Sequence, residues 1–355
     1  MFERQLFSQS SHLGLTEQSL LLEECIHRHD FASAWQIVLR NQCVWNTDYF
    51  KRQASRLAHI SCKSGNKIFV LFDGFWIGFC PEASIIWSAF CCVAKSLDLR
   101  IELTESPGEA DICVSSCFQR NYSNRSVNHC TQLLYLGENV RPFFNDYDYS
   151  LTTDPFDYLG RNAYLPVWLL TLYQDVGSFT TSPWLHVDLF EKSNLKLWKQ
   201  WGFRKNAVVY VGSNCETMRV ALIETLKTEG IPVDIYGAST RPVYDKQALY
   251  SGYQYILCPE NSFYPGYATE KLVHALFSGA VSLYWGGISK AWEEDLMDRI
   301  IMIRPENISG LATRILSAEE PQVSLDGFVY RLRNETKNIY VNLCTHIAKI
   351  ISLYD

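Results

Sequence analysis

The segment YQYILCPENSFYPGYATEKLVHALFSGAVSLYW, residues 253–285, changes periodicity twice. It opens with a short apolar, aromatic-rich run, YQYILC, of the kind that forms a buried strand. A polar and Tyr-rich loop follows. Leu272, Val273, Leu276 and Phe277 then recur on one helical face, with Thr269 in front as N-cap and Gly279 behind as a stop. A second buried run, AVSLYW, closes the segment. Strand, loop, helix and strand in this order make a parallel βαβ unit, and in an open parallel sheet the loop after the strand is where ligands bind.

The same rhythm extends in both directions. Upstream, KIFVLF (67–72) reads as a strand, PEASIIWSAFCCVAKSL as a helix, and LRIEL, ADICVSS and QLLYL (132–136) as strands. An irregular stretch covers residues 140–190. A second round follows: AVVYVGS as a strand, ETMRVALIETLKTEG as a helix stopped by Gly230, and IPVDIYG as a strand. Residues 15–60 instead carry helical spacing throughout, with Thr16 as an N-cap candidate, and the tail from residue 326 reads as one helix. The expected architecture is α/β: two facing Rossmann-like domains with an all-helical N-terminal extension. Its divisions fall at 1–62 for the extension, 66–185 and 190–325 for the two domains, and 326–355 for the C-terminal helix.

Composition narrows the functions. At 355 residues, 47% hydrophobic and 20% charged, the chain can bury a sizeable core. A net charge of -6 argues against broad binding to nucleic acid or a membrane surface. There is no signal-peptide run at the start and no spanning segment of about 18 apolar residues, so the expectation is a cytoplasmic protein without a membrane span. The 12 cysteines are scattered, form no CxxC pair and read as reduced thiols. Sequons at Asn121, Asn124, Asn307 and Asn334 count only as tripeptides.

Three polar sites follow strands. The first holds Glu260, Asn261, Glu270 and Lys271: a helix start with a lysine receives phosphate well, while an acid in the first turn also serves as ordinary capping. The second is VVYVGSNCETMR, where Arg219 stands one turn into a helix and either grips phosphate oxygens or is a solvated surface arginine. The third is LLYLGENVRPFFNDYDYSL, where Glu138 follows a buried strand of the first domain. It is either a general base facing the cations of the second or a loop acid paired with Arg141. Trp76 and Glu82, after the first strand, are candidates for the acceptor side, with core packing the alternative for the tryptophan. Asp146 and Asp148 superficially match a metal-binding DxD, and His27 and His29 stand two apart on different helix faces, so no metal site is expected.

These same residues carry a resemblance. Residues 255–287, YILCPENSFYPGYATEKLVHALFSGAVSLYWGG, resemble the signature of the α1,3/4-fucosyltransferases, glycosyltransferase family 10, approximately FxLxFENSxxxxYxTEKxxxAxxxGxxPVxxG. YLGENVRPFFNDYDYSL is similar to the family's YxGEN and FNxxDYA segments, VVYVGSNCETMR to its strand, Ser-Asn and arginine, and VDIYG to its VDxYG. The matches span roughly residues 67 to 310 in family order. The resemblance implies a GT-B fold and an inverting transfer of L-fucose from GDP-fucose to O3 or O4 of GlcNAc or a related sugar on an oligosaccharide or glycoconjugate. It implies Glu138 as base, Arg219 and Lys271 on the leaving diphosphate, and Asn261, Tyr267, Glu270, Asn214 and Tyr135 lining the donor. No cofactor is required beyond the donor substrate, a divalent cation such as Mn2+ being at most stimulatory. Pro259, Ala268 and Ser282 depart from the pattern. Two other readings stand beside it: the same fold with another nucleotide sugar, and a non-catalytic glycan- or partner-binding protein. The N-terminal helices are a candidate homo-oligomer contact.

Overall fold

The computed structural model describes residues 15–45, 48–118, 129–144, 146–174, 184–185, 200–212, 217–237, 241–304, 307–308, 310–321 and 325–354. Three helices open it: α1 (Leu15–His27), α2 (Phe31–Trp45) and α3 (Asp48–Cys62). The first begins at Leu15, so Thr16 lies inside its first turn and is not the N-cap.

The first sheet is parallel throughout. Its strands are β1 (Lys67–Asp73), β2 (Arg100–Leu103), β3 (Ile112–Ser116), β4 (Thr131–Leu136), β5 (Tyr149–Thr152) and β6 (Asn162–Tyr164), in the order β2-β1-β3-β4-β5-β6. Helix α4 (Ile85–Ser96) links β1 to β2, with Ser84 capping its N-terminus by accepting from Trp87 N. Helix α5 (Val167–Leu172) follows β6.

Two of these strands lie in the stretch that reads as irregular. Strands β5 and β6 are short, and their buried side chains include Ser150, Thr152 and Asn162. Asn162 Oδ1 accepts from Ser150 Oγ at 2.8 Å and Thr152 Oγ1 at 3.0 Å, so polar residues satisfy one another where apolar ones are expected.

The second sheet is also parallel. It holds β7 (Lys205–Val211), β8 (Val233–Tyr236), β9 (Tyr253–Pro259), β10 (Val281–Trp285) and β11 (Ile300–Met302), ordered β8-β7-β9-β10-β11. Its helices are α6 (Thr217–Thr228), α7 (Lys246–Tyr250), α8 (Glu270–Phe277), α9 (Lys290–Asp295) and α10 (Leu311–Leu316). Helix α11 (Asp326–Ile351) then runs back to pack on α4 and β6 of the first sheet and on α9 of the second.

The halves meet through specific contacts. Asn139 Nδ2 donates to Ser262 Oγ at 2.6 Å, and Tyr164 OH to the Gly266 carbonyl at 3.0 Å. The Arg141 guanidinium lies 3.7 Å from the centroid of the Tyr264 ring. Trp168 of α5 and Trp292 of α9 pack at 5.1 Å.

Other expectations find their places here. Asp148 is fully buried and paired with Arg52 at 2.9 Å, which gives it a structural partner in place of a metal, while Asp146 is exposed. Among the described residues no group of three or more His, Cys, Asp or Glu side chains is placed to hold a metal ion, and no helix is long and apolar enough to cross a membrane. Ten described cysteines carry free thiols. Of the sequons, Asn307 spends its side chain on Arg304 N and the Met302 carbonyl, and Thr336 beside Asn334 is buried in α11. Asn121 and Asn124 lie outside the described residues.

Candidate active site

The carboxyl ends of β7 and β9 and the first turns of α6, α7 and α8 enclose a cavity of about 340 Å³. Its lining brings together Arg219, Asn261, Glu270 and Lys271, four of the residues singled out in the sequence. Pro259, the last residue of β9, lies in register with Trp285 of β10 and forms part of the floor.

The α8 terminus is built around Glu260, whose side chain is buried completely. One carboxylate oxygen accepts from Thr269 N at 2.8 Å and Tyr284 OH at 3.2 Å. The other accepts from Thr269 Oγ1 at 2.7 Å and Lys271 Nζ at 3.0 Å. Thr269 is the N-cap, as its position suggests, and its hydroxyl also accepts from Lys271 Nζ at 3.1 Å. A buried carboxylate therefore fixes both the cap and the lysine that the helix presents. The two glycines after β10 leave room for this. A Cβ on Gly286 would stand 2.7 Å from Glu260 Cγ, and one on Gly287 would overlap the Tyr264 carbonyl oxygen.

Arg219 is 5% exposed, which removes the solvated-surface alternative. Its Nη2 donates to Asn261 Oδ1. Asn261 Nδ2 in turn donates to Glu138 Oε2 at 3.3 Å, and Tyr267 OH reaches the same oxygen at 3.4 Å. Both bonds are long and leave Glu138 capacity for another donor. Burial raises the Tyr267 pKa, with Glu138, Glu260 and Glu270 adding to the rise, so the phenol keeps its proton. The pairing of Glu138 with Arg141 does not occur, because Arg141 donates to Asp154 at 2.6 Å and to Asn139. A carboxylate from the loop after β4 thus bonds to Asn261, which lines a cavity whose cations come from the second half.

Three further candidates lie on the first half. Tyr135 is fully buried and stacked on Phe75 at 5.8 Å, and burial raises its phenol pKa, with Cys117, Glu138 and Glu270 adding to the rise, which places it beside the Glu138 cluster. Trp76 is half exposed on the loop after β1, edge-on to Phe79 at 4.9 Å and Phe118 at 5.5 Å. Glu82 follows on the same connection, where its carboxylate accepts from the Cys80 thiol at 3.4 Å. Asn214 lies outside the described residues.

Comparison with known proteins meets the geometry here. Residues 201–301 match the family model described as glycosyltransferase family 10 (fucosyltransferase) C-term. These residues are similar to a family 10 domain. They supply the cavity from Tyr210 through Lys271. The chain is similar to the alpha-(1,3)-fucosyltransferase FucT of Helicobacter pylori, 27% identical over 216 residues that cover 54% of this chain and 45% of the relative. It is also similar to alpha-(1,3)-fucosyltransferase B of Drosophila melanogaster, 29% identical over 153 residues covering 38% and 32%. The chain thus matches less than half the length of these curated relatives. Among solved structures, an alpha1,3-fucosyltransferase crystallised with GDP aligns over 82% of this chain and 95% of its own at a TM-score of 0.53, with 21% identity. The same enzyme class with GDP-fucose aligns over the same shares at 0.50. The architecture is that of the GT-B fold, and the residues that match the family model lie in its second half.

Proposed function

We propose that this protein is an inverting fucosyltransferase that moves L-fucose from GDP-fucose to a glycan hydroxyl, O3 or O4 of GlcNAc or a related sugar. Residues 66–185 serve as the acceptor half and 190–325 as the donor half. One observation carries the reading: Glu138, two residues after β4, is joined through Asn261 to Arg219, beside the helix terminus that presents Lys271. Glu138 removes the proton of the attacking hydroxyl as its oxygen bonds to the anomeric carbon. The bond to the β-phosphate oxygen breaks on the opposite face, and the electron pair leaves with GDP. Arg219 and Lys271 stabilise the charge that develops there. Glu270, repelled by phosphate, is assigned to hydroxyls of ribose or fucose. Trp76 and Glu82 stand on the acceptor half.

Glu138→Gln tests the assignment because it keeps the size and hydrogen-bonding capacity while removing the basic oxygen. Transfer of radiolabelled fucose to an oligosaccharide array should fall by about 100-fold or more, with the affinity for GDP measured by calorimetry unchanged. Undiminished transfer would remove Glu138 as base. Failure of the unmodified protein to bind any nucleoside diphosphate would remove the function itself.

A further inference from the structure

The cavity has a second cation-bearing side that the transfer chemistry leaves unused. The reacting end is fixed by Glu138, which reaches it through Asn261 and Arg219. Lys271 is anchored toward β10, since its partner Glu260 is also bonded to Tyr284 of that strand. Lys246 enters from the other direction, at the start of the crossover helix that returns from the edge strand β8 to β9. Its ammonium lies 5.6 Å from the centroid of the Tyr250 ring, and Lys246, Tyr250 and Val243 line the cavity together.

This side is chemically unlike the reacting end. Val243 and the largely buried Tyr250 make this side of the lining mostly apolar, with one ammonium at its margin. The neighbouring histidine adds no second charge: burial, then Lys246 and against it Glu270, set the His274 pKa at about 4, so it is neutral near pH 7. A nucleoside diphosphate whose phosphates lie by Arg219 and Lys271 has its base left to accommodate, and Val243, Lys246 and Tyr250 are part of the lining that remains. An ammonium has three donors and no acceptor. It therefore favours a base edge made of acceptors, such as guanine with O6 and N7, over one that presents an amino group, as adenine and cytosine do.

Resting on the reading that the cavity takes a nucleoside diphosphate, we propose that Lys246 is a specificity-determining residue that reads the keto edge of the donor's base. It supplies a basis for guanine that the sequence motifs do not contain.

Calorimetric titration with GDP, IDP, ADP, UDP and CDP of the unmodified protein and of Lys246→Met and Lys246→Arg tests this. The unmodified protein should bind GDP and IDP about tenfold or more tighter than ADP. Lys246→Met should lose most of that ratio by weakening GDP and IDP while ADP stays the same, and Lys246→Arg, still only a donor, should keep it. Equal weakening of GDP and ADP would assign the ammonium to the phosphates and overturn the inference, as would unchanged GDP binding by Lys246→Met. If the unmodified protein prefers UDP to GDP, and UDP over CDP only while Lys246 is present, the keto reading stands and the GDP-fucose donor fails. Binding of no diphosphate overturns both.

Discussion

Glu260 is where a single residue organises the most chemistry. Its carboxylate collects four donors in a site without water access: Thr269 N, Thr269 Oγ1, Lys271 Nζ and Tyr284 OH. Removing this acceptor leaves the buried Thr269 and Tyr284 donors unsatisfied and the partly buried Lys271 without its counter-ion. Glu260→Ala is therefore expected to lower the unfolding free energy by about 1–3 kcal/mol, read by urea denaturation. Glu260→Gln keeps an acceptor and should cost less, yet it exchanges a charged partner of Lys271 for a neutral amide and should weaken GDP binding. If both variants matched the unmodified protein in stability and GDP affinity, the anchoring role would be wrong. Thr269 and Lys271 were legible in the sequence, since an N-cap followed by a cation is a local pattern. Glu260 as their anchor was not, because its acceptor role depends on Tyr284, which lies 24 residues away. Asn261, Arg219 and Glu138 were each readable as polar groups after strands, but only the fold shows them in one chain of contacts.

At the scale of elements, the N-terminal helices are held to the first sheet by charge as well as by apolar packing. Arg56 of α3 donates to Glu23 of α1 at 2.6 Å and lies 3.2 Å from Asp148, beside β5, while Gln53 donates to Asp148 at 2.6 Å. Burial alone would raise the Asp148 carboxyl, but Arg52 and Arg56 outweigh it and hold it below the usual range. Next to this network, His27 donates to or accepts from Tyr149 OH at 2.6 Å, and His346 meets the Tyr149 ring at 5.6 Å. Burial, reinforced by Lys349, lowers His27 to about 4 and His346 to about 3. An unfolded histidine takes up its proton near pH 6.5, so below that pH the unfolded chain binds protons the folded one refuses. Stability should accordingly fall as pH drops from about 6.5 toward 4, and the loss of Asp148 charge adds to it only at lower pH. Urea unfolding at about pH 7 and pH 5 should show this fall, and His346→Leu should reduce it; an identical fall in the variant would exclude His346 as a source. The three helices were legible from their periodicity, whereas β5 and β6 were not. Their polar inward residues look like loop until Asn162 and the α3 arginines supply their partners.

Across the whole molecule, α11 acts as a strap. Arg331 near its start donates to Asp295 of α9 at 3.2 Å, and Trp292 Nε1 donates to Glu335 at 2.8 Å, which ties it to the second half. Farther along, Tyr340 exchanges a hydrogen bond with Ser88 of α4 at 3.0 Å, and Lys349 donates to the Gly160 carbonyl at 3.1 Å. The polypeptide then turns so that Tyr354, fully buried, donates to the Asp111 carbonyl at 2.5 Å and accepts from Thr131 Oγ1 at 2.7 Å, between β3 and β4. The periodicity of residues 326–351 made the helix legible; that it joins both halves was not, since its partners lie as far as 252 residues away. Because these contacts couple the sheets that meet at Glu138 and Asn261, loosening one end of the strap should be felt by both. Tyr354→Phe keeps the ring and removes the hydroxyl, leaving the Asp111 carbonyl and the Thr131 hydroxyl without that partner in a buried site. The expected cost is about 1–3 kcal/mol, seen in denaturation followed both by far-ultraviolet circular dichroism and by tryptophan fluorescence. If α11 unites the molecule, the two signals shift together to lower denaturant; a shift confined to one signal, or a second transition already present in the unmodified protein, would show that the halves unfold independently.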